Sequence, residues 1–116
     1  MKIMHYSEAE PKHMESDSVK GVTGRVVIGK ADGADNFCMR FFELAENGFS
    51  PAHSHEWEHE IIIFSGQGEV LCNGEWKPVS QGYVVFIPGN EEHQIRNAGK
   101  EKLVFACMIP SGPAEL

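Results

Sequence analysis

The fold of this chain is restricted most by a series of short apolar segments that turn-forming residues separate. Glycine and proline stand between the segments at fairly even intervals, and nowhere do apolar residues keep helical spacing for three turns. Short runs rich in Val, Ile and Phe are typical of β-strands. The segments are residues 23–29, 36–44, 60–64, 69–72, 83–87, 93–97 and 102–109. This pattern predicts an all-β fold, built as a sandwich or a barrel.

Two features of these segments concern turns and packing. Asn73 and Gly74 stand between apolar runs, and an Asn-Gly pair is a strong signal for a two-residue β-hairpin. Several segments, such as residues 36–44, are apolar on both faces. One face can fill a barrel, but the other needs a cover because monomers rarely expose large apolar patches. The sequence therefore predicts a homodimer, with a thicker two-sheet monomer as the alternative.

Length and charge limit the domain organisation and the partners. The 116 residues fit one domain, which we place at residues 19–116. Residues 1–18 are polar without a clear period, and they are predicted to form an N-terminal arm that frays or docks on a neighbour. The formal net charge of −7 argues against nucleic acid or an anionic membrane as a partner. No apolar run reaches the length of a membrane span.

Cysteine usage and the start of the chain indicate a cellular compartment. Cys38, Cys72 and Cys107 are odd in number and lack metal-motif spacing, so a disulfide framework is not expected. The first ten residues show no basic region followed by an apolar one, as a signal peptide would. Reduced, buried thiols in a cytoplasmic protein are the prediction.

Residues 53–60, HSHEWEHE, concentrate three histidines and three glutamates in eight positions. Residues i and i+2 of an extended chain point to the same side, so His53 and His55 can present two imidazoles together. His59 and Glu60 are neighbours at the start of an apolar strand, and alternation lets only one of them face inward. Spacing within the segment leaves both choices open.

A fourth histidine, His93, begins the segment HQIRN and shares a face with Ile95 and Asn97. An imidazole on this apolar side needs polar partners. Four positively charged imidazoles would repel one another, whereas four neutral ones suit a metal ion. Each histidine alone would be interpreted as an ordinary surface or hydrogen-bonded side chain, but the group of four favours a metal site.

The spacing of these residues resembles the first motif of the cupin superfamily, G-x5-HxH-x3or4-E-x6-G. Four residues, rather than the five of the motif, separate Gly48 from His53, the first histidine of the HxH pair. Six residues separate His59 from Gly66. The glutamate position of the motif therefore falls on His59. Counting from Glu60 instead leaves only five residues before Gly66. On this count the first motif spans residues 48–66.

The second cupin motif, G-x5-P-x-G-x2-H-x3-N, is similar to residues 82–97. Gly82, Pro88, His93 and Asn97 match in register, and Asn90 stands where the motif has glycine. Because asparagine tolerates the left-handed conformation better than most residues, the turn is expected to be kept.

The resemblance implies a double-stranded β-helix, or jelly-roll barrel, with a metal held by His53, His55, His59 and His93. The pattern most specifically resembles small one-domain cupins with four-histidine sites. Some of these bind manganese and resemble dioxygenases in their metal chemistry. Four imidazoles suit Mn, Fe, Ni, Cu or Zn but not Ca or Mg, which prefer oxygen ligands. One divalent transition metal per chain is expected, with Mn favoured.

Further residues are candidates for a substrate pocket. Phe105 and Cys107 share a strand face that, by resemblance, looks into the barrel. Arg40 and Phe42 share a face of residues 36–44, and an inward Arg40 could meet an anionic substrate. Core packing is an equally good interpretation of both phenylalanines and a better one of Cys107. For Arg40 the alternative is a salt bridge to a glutamate, for example at a dimer interface.

Three functions are compatible with this sequence. The first is a metal-dependent oxidoreductase of dioxygenase type that acts on a small organic molecule. The second is a binding or sensing cupin that holds a metal or small ligand without turnover. It is supported by the lack of a convincing general acid or base, since Glu56, Glu58 and Glu60 lie where solvent is expected. The third is an isomerase or lyase, which needs an inward carboxylate or tyrosine, and Tyr83 is the only candidate in a barrel strand.

Overall fold

Strands make up most of the structure, a computed structural model that describes residues 1–116. Two single-turn 3₁₀ helices, Tyr6–Glu8 and Lys30–Asp32, are the only helical segments. All three cysteines are free thiols. No helix in the structure has the length and apolar character needed to cross a membrane. The nine strands are β1 (Lys12–Ser16), β2 (Val19–Ile28), β3 (Phe37–Phe49), β4 (His59–Ser65), β5 (Gln67–Cys72), β6 (Glu75–Ser80), β7 (Val84–Ile87), β8 (Ile95–Asn97) and β9 (Leu103–Pro110).

One antiparallel, curled sheet contains all nine strands. The strands follow the order β6-β5-β8-β3-β9-β4-β7, with β2 paired to β3 and β1 paired to β2. Strand β3 lies in the middle of this order and connects its two halves. The first eight residues of β3 pair with β9, and Phe49 pairs with Arg96 of β8. The buried faces of β3, β4, β5, β8 and β9 then enclose one core. The fold is the jelly roll that the sequence predicts.

Strand β4 shows how the alternation of side chains positions the site. His59, Ile61 and Ile63 are buried, whereas Glu60 and Ile62 are exposed. Of the two neighbours at the start of this strand, the histidine therefore faces the interior and the glutamate faces the solvent.

Two strands lie outside the predicted set. Strand β6, residues EWKPVS, is polar and contains a proline, so it lacks the apolar signal of the other strands. It pairs with β5 across a hairpin in which Asn73 and Gly74 both have positive φ, of 51° and 78°. Both values fit the two-residue turn predicted from the Asn-Gly pair.

The other unpredicted strand, β1, falls within the predicted N-terminal arm, residues 1–18. It pairs with β2 of the same chain from Lys12 to Ser16, so this part of the arm is an edge strand of the sheet. Ahead of it, the ring of Tyr6 stacks on Phe41 of β3 with centroids 4.3 Å apart. The weak polar pattern of β1 fits a strand that is exposed at most positions.

The outer face of β4 and β7 is largely apolar and exposed, with Glu60 beside Phe86 as its charged residue. Ile62 and Phe64 of β4 and Val84 and Phe86 of β7 are exposed, with Val84 at 76%. These two strands pair directly, so the four side chains lie on one continuous surface. We call these four residues the outer patch.

Candidate metal centre

Four histidines from three segments meet at one end of the barrel. His53 and His55 lie between β3 and β4, His59 begins β4, and His93 precedes β8. The backbones of His53 and His93 are paired directly, with N–H to carbonyl distances of 3.1 and 2.9 Å. One ring nitrogen from each of the four side chains lies within 4.8 Å of the others. The structure thus brings together the four residues that the sequence singled out.

A tight turn between β7 and β8 supports the segment that carries the first two histidines. The backbone N–H of Asn90 donates to the carbonyl of His55 at 2.6 Å. Asn90 has a φ of 68°, the left-handed conformation that its place in the second motif requires. A side chain on Gly89 would collide with the carbonyl oxygen of Glu56. The close approach of these two segments explains the glycine and the turn-forming asparagine.

Backbone carbonyls orient two of the four rings. His55 Nδ1 lies 2.8 Å from the carbonyl oxygen of Trp57, and His93 Nδ1 lies 2.9 Å from that of Glu91. A carbonyl only accepts, so each Nδ1 carries the proton and each neutral Nε2 has a free lone pair. The indole of Trp57 also stacks on His55 at 4.0 Å between centroids. Trp57 therefore anchors the loop beside the site.

Burial favours the neutral form of three of the four rings, those of His53, His55 and His59. It lowers the pKa of His53 to about 4, and the positive potential of His93 adds to this effect. It lowers the pKa of His59 to about 3, with the cation of Arg40 as the next cause, and it also lowers the pKa of His55. Neutral imidazoles with free lone pairs are the form that binds metal.

The donor set fits a divalent transition metal. Four ring nitrogens converge, and His93 Nε2 is buried without any hydrogen-bond partner. An unpaired buried nitrogen is costly unless a ligand satisfies it. The three glutamates of the segment, Glu56, Glu58 and Glu60, are exposed and take no part in the cluster. Nitrogen donors without carboxylate match Mn, Fe, Ni, Cu or Zn rather than Ca or Mg.

An apolar cavity of about 210 Å³ opens beside the histidines. Its wall includes Arg40, Phe42, Phe105 and Cys107, all of which the sequence proposed for a pocket. The rings of Phe42 and Phe105 lie 5.5 Å apart between centroids. Nine further lining residues were not proposed for a pocket, and four of them come from β1, the segment after β3 and the end of the chain, where no periodic pattern marks an inward face. These four are Met14, Ser50, Pro51 and Leu116.

Arg40 carries a buried positive charge on the wall of this cavity. Only 8% of the residue is exposed, and no carboxylate lies within salt-bridge distance. Its guanidinium lies 5.0 Å from the ring centroid of Phe42, and its Nε has no hydrogen-bond partner. Arg40 therefore faces inward and forms no salt bridge within the chain.

Besides the ring of His59, two groups lie within hydrogen-bond distance of the Arg40 guanidinium. Its Nη1 donates to the backbone carbonyl of Glu115 at 3.3 Å, and its Nη2 donates to Cys107 Sγ at 2.9 Å. Neither group supplies the negative charge that would balance a buried guanidinium. The wall keeps a net positive charge that an anionic ligand could balance.

No aspartate, glutamate or tyrosine side chain lines the cavity. Tyr83, the single barrel-strand tyrosine considered for acid–base chemistry, is 54% exposed and lies outside the lining. Tyr83 is therefore not positioned for the isomerase or lyase role considered for it. The titratable groups at the cavity are His53, His59 and His93, together with the thiol of Cys107.

Solved structures with similar folds include enzymes and proteins described only by their domain. The polyketide cyclase RemF from Streptomyces resistomycificus is 32% identical, with a TM-score of 0.89 over 97% of this chain and 80% of that one. A predicted oxalate decarboxylase from Thermotoga maritima is 27% identical, with a TM-score of 0.82 over 94% of this chain and 98% of that one.

Among curated proteins, L-ectoine synthase of Vibrio campbellii is 27% identical over 78 residues, which cover 65% of this chain. The match spans 61% of the length of that relative. The model of the cupin domain family matches residues 40–109, which include all four histidines and most of the cavity wall. That match extends over more than half of the chain, which therefore belongs to the cupin domain family.

Proposed function

We propose that this cupin is a metal-dependent enzyme that converts a small organic anion. In this proposal His53, His55, His59 and His93 hold one divalent transition metal, with Mn favoured by the resemblance to small four-histidine cupins. The observation that carries it is the convergence of four ring nitrogens within 4.8 Å, beside an apolar cavity. A cluster that only stabilised the fold would gain nothing from leaving His93 Nε2 buried and unpaired.

The residues of the cavity have separate tasks in this proposal. Arg40 binds an anionic oxygen of the substrate, because its guanidinium lacks a carboxylate partner and its Nε is free. Phe42 and Phe105 pack against the apolar part of the substrate and exclude water from it. The four histidines hold the metal beside the same cavity. The substrate is therefore oriented between two positive centres, the metal and Arg40.

The chemistry of the first candidate is redox-neutral, such as a ring closure or a condensation. When bound, a divalent transition metal polarises a substrate oxygen as a Lewis acid, and its redox-active forms also exchange electrons with dioxygen. The similarity to a polyketide cyclase, at 32% identity, supports the redox-neutral use. No acidic side chain lines the cavity to act as general base, which leaves the chemistry to the metal centre and Arg40.

A dioxygenase-type oxidoreductase is the second candidate. Four protein ligands leave two positions open in an octahedral site, and the adjacent cavity is apolar enough to admit dioxygen. A binding or sensing protein without turnover is the outcome if neither reaction is found. An isomerase or lyase that depends on an inward carboxylate or tyrosine has no support in the lining of the cavity.

Metal-swapped assays separate these candidates. The purified protein is analysed for metal, stripped, and reloaded with Mn, Fe or Zn before incubation with a panel of β-dicarbonyl and aromatic carboxylate compounds. A redox-neutral enzyme forms a product of equal mass, or lighter by one water, without oxygen uptake and with Zn active. A dioxygenase consumes oxygen, adds two oxygen atoms, and is inactive with Zn, which has no redox chemistry.

Variants connect the result to the site. His59→Ala is expected to abolish turnover, whereas His13→Ala, a change in an exposed histidine of β1, is expected to leave it intact. Metal-dependent binding without product in any arm would assign the chain to the binding class. A stripped protein that turns over substrate as well as the loaded one would contradict the proposed function.

A further inference from the structure

The ring of His59 is supported differently from those of His55 and His93. Its Nδ1 faces no backbone carbonyl, but lies 3.1 Å from Cys107 Sγ and 3.3 Å from Arg40 Nη2. Its Nε2 lies 2.8 Å from His55 Nε2. The orientation of this ring therefore depends on a thiol and a guanidinium.

A neutral imidazole carries one proton, so the two nitrogens of His59 play opposite parts. His55 gives its Nδ1–H to the Trp57 carbonyl, and its Nε2 is then an acceptor. The short contact between the two Nε2 atoms requires one donor, which must be His59. Without metal, His59 thus carries its proton on Nε2, and its Nδ1 accepts from Arg40.

Metal binding reverses this arrangement. A ligand nitrogen offers a lone pair, so the proton of His59 has to move from Nε2 to Nδ1 while the ring keeps the same number of protons. On Nδ1 the proton needs an acceptor, and a guanidinium has none. Cys107 Sγ, at 3.1 Å, is the one acceptor near this nitrogen.

The sheet holds that sulfur in place. Cys107 of β9 is opposite Arg40 in the β3 pairing and opposite Ile61 in the β4 pairing, two residues after His59 on the same face. The residue is 2% exposed, and Arg40 Nη2 donates to the same sulfur at 2.9 Å. The sulfur is thereby fixed between the arginine and the histidine.

From this geometry we propose that Cys107 is a positioning residue for the metal centre, whose sulfur accepts the Nδ1–H of His59 in the metal-bound form. The proposal rests on the proposed metal role of His59. In other metal sites this part is usually played by a carboxylate or a carbonyl oxygen, and losing such a partner typically costs about 10–100-fold in metal affinity.

Affinity measurements on cysteine variants test the proposal. Zn affinity is measured by competition with a chelator for the unmodified protein, Cys107→Ala, Cys107→Ser and Cys38→Ala. We expect about 10–100-fold weaker binding for Cys107→Ala and partial recovery for Cys107→Ser, whose hydroxyl also accepts an N–H. Cys38, equally buried at 2% and outside the cavity lining, is the matched control and should leave affinity unchanged.

A second readout observes the proton itself. The ¹⁵N spectrum of the histidine rings in the Zn-loaded, unmodified protein should show His59 protonated at Nδ1, and the metal-free spectrum should show it protonated at Nε2. This measurement does not depend on whether a variant folds.

The outcomes distinguish this proposal from the metal site on which it rests. If Cys107→Ala binds Zn as tightly as Cys38→Ala, or if Nδ1 of His59 is unprotonated in the loaded protein, the role of Cys107 is wrong. If His59→Ala also retains full affinity, the assignment of His59 as a ligand is wrong as well.

Discussion

At the scale of single residues, the site depends on which side of β4 each polar side chain occupies. His59 is 8% exposed and reaches the other histidines, whereas Glu60, one position later, faces the solvent. The exchange of these two positions would replace a neutral donor with a carboxylate and add a negative charge to the centre. Metal binding by variants at these two positions therefore tests which side chain is the ligand.

His59→Ala should remove metal, and Glu60→Ala should not. The alanine at position 59 deletes one of four donors, so affinity should fall by more than the roughly 100-fold upper value for losing an outer hydrogen-bond partner. Metal per chain after dialysis, measured by elemental analysis, checks this expectation. Loss of metal from the Glu60 variant with full retention in the His59 variant would reverse the assignment.

The metal-free protein should lose stability in mild acid. Burial lowers the pKa of His59 to about 3 in the folded chain, below its ordinary value of 6.5, so between these values only the unfolded chain takes up this proton. Stability is therefore present above pH 6.5 and falls, by about 1.4 kcal/mol per pH unit for one such group, as pH decreases.

Urea unfolding between pH 7 and 5 measures this slope. His59→Gln should reduce the slope of the free energy of unfolding against pH by the contribution of one proton. His13→Ala should leave this slope unchanged. Equal slopes for the His59 variant and the unmodified protein would show that the ring is not buried in its neutral form.

At the scale of elements, the turn after β7 links the two halves of the site. Asn90 adopts a φ of 68° and its N–H donates to the carbonyl of His55, so backbone conformation there bears on the position of a proposed ligand. The hairpin between β5 and β6 contains a comparable residue, Asn73, with a φ of 51°, but it has no contact with the cluster.

Asn90→Val and Asn73→Val should therefore differ. Each places a β-branched residue in the left-handed region, and each should lower the free energy of unfolding by about 1–2 kcal/mol. Only Asn90→Val should also weaken metal binding, and Asn90→Gly should preserve both properties. Thermal unfolding and chelator competition check the two effects, and equal metal affinities in both valine variants would contradict the link.

Much of this arrangement could be predicted from local patterns. The HxH spacing grouped the first two histidines, and strand alternation, the six-residue step to Gly66 and the resemblance to four-histidine cupins together oriented His59 inward. Strand β6 was not predictable because its stability comes from pairing with β5 rather than from apolar residues. The Arg40 surroundings were not predictable either, since Cys107 and Glu115 come from segments far along the chain.

At the scale of the whole molecule, the outer patch is an exposed apolar surface that we expect another chain to cover. Its four side chains, Ile62, Phe64, Val84 and Phe86, are exposed on two paired strands whose other face fills the barrel. Covering such a surface with a second copy of the chain buries it without any further protein.

The chain should therefore form a homodimer, and a charge in the outer patch should disrupt it. Light scattering coupled to gel filtration should give twice the mass of the chain for the unmodified protein and a smaller mass for Val84→Glu. Lys77→Glu, on β6 at the opposite end of the sheet order, is the control and should remain dimeric. A monomeric unmodified protein at high concentration would exclude this role for the patch.

The volume of the cavity sets a limit on the size of what can be enclosed. An engineered apolar cavity of about 150 Å³ holds one benzene molecule, and the cavity here measures about 210 Å³. It can therefore surround a single aromatic ring with a few substituent atoms, and a molecule of several fused rings would extend beyond it. Selection among longer substrates then depends on the end that enters, so compounds that share a terminal ring and differ beyond it should compete for the same site.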